Sequence, residues 1–241
     1  ISIALAMQAL FFGDGGILSL GVNCFNMAFV MPFTAYYLFK LISSRLSGQK
    51  GRTVAALIAG YLSLNVAAFL TALEFGIQPS LFTDSAGLPL YGPYGFGTAI
   101  PAMMIPHLLV VGILEGLVTA GVYRYVSRVS PEFIYEGSLK KIKYAYLHLA
   151  VMVLLTPLGL LAAGTAWGEW GPDELRSSIG FLPKGMKSGL HFAAPLADYS
   201  LPKIHAIVGY SLSALIGAAL IMLFFRIAGK AASSKARKRT P

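Results

Sequence analysis

Long apolar runs, separated by short polar or glycine-rich stretches, set the limits on this chain. Several reach 18 or more residues, enough to cross a hydrocarbon core of about 30 Å as a helix. Hydrophobic residues make up 56% of the 241 and charged residues only 12%, with a mean hydropathy of +0.69. A soluble domain carries about twice that charged share. The expected fold is all-α, a polytopic membrane helix bundle with five full transmembrane helices plus the second half of an N-terminal one. Residues 1–241 read as a single integral-membrane domain. The lone cysteine, Cys24, excludes an intramolecular disulfide and a cysteine-only zinc site, and reads as a packing residue.

Residues 1–12 are apolar, with Gln8 among them. As a helix they rise about 18 Å, so the expectation is that the chain begins inside a span and that at least half a helix lies upstream. No basic segment precedes the run, which sets it apart from a signal peptide. Further spans are expected over about Asn23–Ile42, Thr53–Phe75, Pro101–Val126, Tyr144–Ala163 and Ile204–Ala228. Pro32 is expected to kink the first of these. A short interfacial helix is expected between Ser127 and Lys143, and residues 164–203 read as a long extracytoplasmic loop. Residues 229–241 read as a basic cytoplasmic tail, frayed from Lys230.

Charge follows the same frame. Four Lys/Arg flank the second loop, five lie between Arg124 and Lys143, and six between Arg226 and Arg239, so 15 of the 19 fall on one side. By the positive-inside rule that side is cytoplasmic, as is the C-terminus, in a multi-pass protein of the cell membrane. The net charge of +9 is then explained by topology and anionic lipid, with no nucleic acid implied.

Polar residues inside the spans need a reason. The first helical run stops at Phe12, and Gly13-Asp14-Gly15-Gly16 follows it. Asn23 and Asn26, three apart on one helical face, stand just beyond. Asp14, Asn23 and Asn26 together read as an oxygen- and amide-rich patch on a binding cavity; the asparagines also read as caps of the next helix. Glu115, between Gly112 and Gly116, is costly in a bilayer and reads either as a packing hydrogen bond or as a cavity residue. Glu74 reads as reaching water at a helix end. His107 reads as a cavity residue, and His107, His191 and His205 are the metal-ligand candidates within the chain, although their spacing matches no ligand motif. His148 reads as an ordinary hydrogen-bonding residue. Met27 and Met31 read as packing, and Trp167 and Trp170 as interfacial anchors.

There is no His-Glu-x-x-His helix, nucleophile elbow or Walker loop in the sequence. Energy for any transport would come from another chain or an ion gradient. One alternative is an intramembrane enzyme using Glu115 and His107. They stand eight residues apart, about 12 Å along a helix, too far for a direct pair. Another alternative is a non-catalytic assembly subunit of a membrane complex.

Gln8 through Ile17, then Gly21-Val22-Asn23-Cys24-Phe25-Asn26-Met27, then His107 through Glu115-Gly116-Leu117, resemble the CbiM/NikM family. These are substrate-capture membrane components of cobalt and nickel energy-coupling-factor transporters. Ala166 to Gly171 and Ala194 to Tyr199 resemble a C-terminal extension found in part of that group. The resemblance implies a non-enzymatic component that captures Co²⁺ or Ni²⁺ as transported substrate, with no permanently bound cofactor. It implies a transmembrane coupling subunit and cytoplasmic ATPase subunits as partners, with a small additional membrane subunit. The extension tilts the expected cargo toward cobalt, for cobalamin synthesis. The family's primary ligands, an N-terminal Met-His segment and an early histidine, would lie upstream of Ile1. Asp14, Asn23, Asn26 and His107 are then supporting residues around the site.

Overall fold

Backbone buried in hydrocarbon must satisfy its own hydrogen bonds, which favours helices. The computed structural model describes residues 1–129, 131, 134, 142–161, 166–189, 192–201 and 203–237. Among them no sheet forms, and a single antiparallel bridge joins Thr83 to Pro89. The helices in chain order are α1 (Ser2–Phe12), α2 (Leu20–Ser43), α3 (Gly48–Leu81), α4 (Phe96–Val129) and α5 (Ile142–Leu155, continued as a 3₁₀ helix over Thr156–Leu161). After them come α6 (Pro172–Ile179), α7 (Lys184–Lys187) and α8 (Ala206–Arg237).

Four of these, α2, α3, α4 and α8 as far as Lys230, are long and apolar enough to cross a membrane. The apolar stretches Ser2–Phe12 and Leu149–Leu161 are shorter. The span expected over Tyr144–Ala163 falls on α5, where the helix tightens from Thr156 beside Pro157, a residue without an N–H to donate. The remaining spans outrun their expected ends. The tail from Lys230, expected to fray, continues as helix to Arg237. The expected interfacial helix after Ser127 lies largely outside the described residues.

The chain divides into two compact units. One comprises Ile1–Gly21, Ala145–Ala163 and His191–Pro241; the other comprises Val22–Tyr144 and Gly164–Leu190. In the second, α3 packs against α2 and α4 through small side chains. Ala56, Gly60, Ser63, Ala67 and Ala72 are buried on α3, facing a stripe of Gly112, Gly116 and Ala120 on α4. A Cβ on Gly116 would lie 2.7 Å from the Leu57 carbonyl oxygen, so this approach of backbones requires glycine. Large apolar side chains face outward instead, Leu109 at 66% exposure and Leu114 at 56%. That inversion of the soluble pattern suits a lipid surround.

Two spans carry π-helical turns. In α2 they cover Cys24–Val30, just before Pro32; in α4 they cover His107–Val111, just after Pro106. Proline removes a helical donor and its ring crowds the preceding turn, and a widened turn absorbs the misfit. Pro32 is thus accommodated by a π segment.

In the first unit α1 packs on α8, as does the 3₁₀ continuation of α5. Gly217 lies against the Phe12 ring and Gly159 against Tyr210. The long segment expected as loop contains two helices. α6 starts with Pro172 and carries Asp173 and Glu174 in its first turn, and Gly180 closes it at φ 80°. Those are ordinary helix start and stop signals, legible in the sequence.

Candidate functional site

The asparagine face of α2 meets a polar face of α3. Asn26 is 3% exposed. Its Nδ2 donates to Glu74 Oε2 at 2.6 Å and to Thr71 Oγ1 at 3.0 Å. Thr71 and Glu74 stand three apart and so share a face. The Asn26 Oδ1 is buried and has no hydrogen-bond partner among the described residues. Such an oxygen forfeits about 1–3 kcal/mol, and its retention points to an ion, a water or a role in function. Glu74, expected to reach water, is half-buried and accepts from Asn26. The expected capping by the asparagines is not what they do. α2 begins at Leu20, Asn23 already has helical dihedrals and makes no side-chain capping bond, and Asn26 lies a turn inside.

A second polar locus surrounds the π segment of α4. Asn65 is 6% exposed; its Nδ2 donates to the Tyr61 carbonyl at 2.8 Å, and its Oδ1 is likewise buried without a partner among the described residues. Tyr61 Oη donates to the Leu108 carbonyl at 3.2 Å, satisfying backbone inside the widened turn. His107 is half-buried, with Nδ1 2.6 Å from the Met103 carbonyl. A carbonyl only accepts, so Nδ1 carries the proton, and in the neutral ring Nε2 keeps its lone pair for a ligand. Glu115 accepts from Thr119 Oγ1, one turn along the same helix, at 3.1 Å. His107 and Glu115 each bond locally.

Asp14 belongs to the other unit. Gly13, Gly15 and Gly16 adopt φ of 73°, 72° and 68°, a left-handed turn that favours glycine. The Asp14 Oδ2 accepts from Gln8 Nε2 and from Tyr199 Oη, each at 2.5 Å. The Tyr199 ring stacks on Phe12 at 4.8 Å. Burial first, and then the hydrogen bond to Asp14, hold its phenol above the ordinary tyrosine value. Ser213 Oγ donates to the Tyr199 carbonyl at 2.9 Å, and the Leu196 N–H to the Phe11 carbonyl at 2.9 Å. Asp14 was expected to join Asn23 and Asn26 in one patch; its bonds described here run to Gln8 and Tyr199. Tyr199 stands in the sequence only as part of the Ala194 to Tyr199 motif. The sequence signal available was Gln8 itself, an amide in an otherwise apolar turn.

Of the histidines, His205 is exposed just before α8, His191 lies outside the described residues, and the side chain of His148 is not described. Among the described residues, no three His, Cys, Asp or Glu side chains gather as a metal site. Cys24 is free and half-buried. Trp167 and Trp170, expected as membrane-interface anchors, pack on protein rings. Their centroids are 5.0 Å apart, with Phe75 5.5 Å from Trp167 and Tyr94 5.1 Å from Trp170. Close by in sequence, Lys184 Nζ pairs with Asp84 Oδ2 at 2.7 Å.

Outward apolar side chains, small-residue helix contacts and inward amides and carboxylates define an integral-membrane helix bundle with polar side chains in its interior. The family described as cobalt uptake substrate-specific transmembrane region, CbiM, matches residues 1–133, and the PDGLE domain matches residues 140–234. The chain is 40% identical over 235 residues to the probable fused nickel transport protein LarMN of Lactiplantibacillus plantarum, a match covering 94% of this chain and 70% of that protein. It is 42% identical over 244 residues to the fused nickel transport protein NikMN of Rhodobacter capsulatus, covering 92% and 70%. A crystal structure of a transition metal transporter aligns with it at 45% identity and a TM-score of 0.51, over 59% of this chain and 61% of that one. The chain belongs to the CbiM family, in the form that also carries a PDGLE domain.

Proposed function

We propose that this chain is the ion-capturing membrane component of an uptake transporter for a late first-row divalent metal, working as one integral-membrane domain. The observation that carries this is similarity along 92–94% of its length to fused nickel transport proteins. Those relatives span both the CbiM and the PDGLE regions. The extension that had favoured cobalt therefore weighs toward Ni²⁺, with Co²⁺ second. Cobalamin supply is the destination only for cobalt.

Nitrogen donors suit such ions best. In this reading they come from the family's N-terminal Met-His segment. Asn26, Glu74 and His107 orient those donors or receive the ion as it sheds water, and Glu115 and Asn23 line the approach. Asp14 supports the fold at the end of α1. Catalysis is absent from the role; ATP hydrolysis falls to separate subunits reached through a transmembrane coupling subunit. The C-terminus is cytoplasmic, by the distribution of Lys and Arg.

Calorimetry in detergent with Ni²⁺, Co²⁺ and Zn²⁺, on this chain and on one extended upstream with the family's N-terminal segment, tests the reading. Binding by the extended chain, tightest for Ni²⁺, is expected. Equal binding by both would place the ligands among His107, His191 and His205. Silence from both would favour an assembly subunit.

A further inference from the structure

The widened turn of α4 trades away hydrogen bonds that a regular helix keeps. In an α-helix the Gly112 N–H would reach the Leu108 carbonyl, four residues back. Here it reaches the His107 carbonyl, five back. The Tyr61 hydroxyl of α3 donates to Leu108 in its stead, at 3.2 Å. At the other end of the turn the His107 N–H reaches the Met104 carbonyl, three back. The Met103 carbonyl, which a regular helix would give to that N–H, takes the His107 imidazole at 2.6 Å. The irregular register is therefore what lets His107 anchor Nδ1 on its own helix.

The facing helix supplies the other half. A Cβ on Gly112 would lie 2.5 Å from Asn65 Nδ2, 2.6 Å from the His107 carbonyl oxygen and 3.1 Å from the Tyr61 ring. These groups meet at the bare side of one glycine, within one compact unit. Tyr61 and Asn65 stand four apart on one face of α3. Asn65 Oδ1 is buried and has no partner among the described residues, while the Tyr61 hydroxyl beside it is spent on Leu108. Were the turn to regain α register, Gly112 would serve Leu108 and the Tyr61 hydroxyl would pass to Asn65 Oδ1. The His107 N–H would then take Met103 back from the imidazole. Neither register satisfies everything. The π form orphans Asn65 Oδ1, and the α form unties His107. Two packings that each leave one group short make a bistable element, and π-helical turns recur at functional sites.

We propose that Tyr61 and Asn65 are positioning residues for His107, setting its imidazole for or against the ion by shifting this turn between π and α register. The inference rests on the reading that His107 meets the incoming ion. Tyr61 holds the π register, in which Nδ1–H is tied to Met103 and Nε2 is presented. Asn65 rewards the α register, in which the imidazole is let go and the ion passes on.

Two variants push the turn in opposite directions. Tyr61→Phe removes the donor to Leu108 and favours α register; Asn65→Leu, of similar shape, removes the acceptor that rewards it and favours π. Ile105 and Val118, each 57% exposed, flank the turn about 20 Å apart by helix rise. Spin labels there, in a C24S/I105C/V118C chain in detergent, report register with no metal present. Y61F should shift the label distance, and N65L should keep the main wild-type distance and narrow its spread. Metal readouts use the chain extended upstream with the family's N-terminal segment. Y61F should lower Ni²⁺ affinity about tenfold, the scale of untying a ligand's orienting bond. N65L should slow Ni²⁺ release about fivefold, the worth of one neutral hydrogen bond, with an unfolding midpoint no lower than wild type. Label distances unmoved in both variants would overturn the proposal whatever the metal does. Distances that move while affinity and release stay put would cut the link to His107 and overturn it too. Affinity and midpoint falling together in both variants would reduce the two residues to packing. A wild-type extended chain that binds no Ni²⁺ would refute the uptake reading, and the label distances would still decide the switch.

Discussion

Two carboxylates in this molecule are each held by a side-chain amide, and they do opposite things. Asp14 takes both Gln8 and Tyr199 on a single oxygen, under the stacked rings of Phe12 and Tyr199. The left-handed glycines beside it fix the turn. The donors aimed at it are consumed. Glu74 takes the Asn26 amide, whose own Oδ1 stays buried with no partner among the described residues. The first arrangement is closed and the second is open. A closed cluster spends its polar groups on one another and yields stiffness. An open one keeps an acceptor poised in a low-dielectric interior, which is worth retaining only for something that arrives. Under the proposed function, the contrast predicts a stabilising part for Asp14 and a part in ion handling for Asn26 and Glu74.

The sharpest way to break that contrast is Asp14→Ala. It strips the acceptor from two donors, one of them a half-buried phenol, and an orphaned group of this kind forfeits about 1–3 kcal/mol when it is buried. A loss of about 3 kcal/mol in denaturant unfolding in detergent is expected. Metal affinity of the upstream-extended chain should fall less than about threefold, since no ligand is touched. A large affinity loss at unchanged stability would move Asp14 into the ion path. Asn26→Ala should do the reverse. It removes an orphan oxygen along with an amide, so stability should change by no more than about 1 kcal/mol. Ni²⁺ affinity of the same extended chain should fall about tenfold, the scale of losing a supporting contact. Both readouts come from one unfolding curve and one titration per variant.

The reasons for these assignments were unevenly visible in the sequence. Apolar run length was enough for the all-α membrane fold, because hydrocarbon thickness leaves few alternatives. The glycines at 112 and 116 stood out only as flanking Glu115, and the fold shows α4 packing closely on α3 there. Asn23 and Asn26 were recognisable as a polar face, but the partner face on α3, Thr71 with Glu74, needed two helices to be read against each other. Periodicity marks which residues share a face; it does not say which helix that face meets. Tyr199 was further out of reach, since it lies 185 residues from Asp14 and the contact rests on tertiary folding of the segment after α7. For Trp167 and Trp170 composition suggested a membrane-surface position, and only the fold reveals that Phe75 and Tyr94 pack against them.

The smallest expected effect concerns the pairing outside the spans. Asp84 accepts the N–H groups of Ala86 and Leu88 at 2.8 and 3.0 Å and pairs with Lys184. The Lys184 hydrogen bond first, and the backbone donors after it, hold the Asp84 carboxyl below its ordinary value. A carboxyl depressed in the folded chain favours folding above its unfolded pKa of about 3.9. That contribution is lost as pH falls through the lower, folded value. Exchange protection of the Ala86 and Leu88 amides, corrected for the intrinsic pH dependence of exchange, should therefore be flat from pH 7 down to about 5 and weaken below about 4. In Lys184→Ala the fall should begin at higher pH, because the ammonium no longer favours the carboxylate. The Lys184 side chain is 65% exposed, so salt should shift wild type toward the variant. Protection that ignores both pH and Lys184 would make this turn a matter of backbone geometry alone, held by the Thr83–Pro89 bridge.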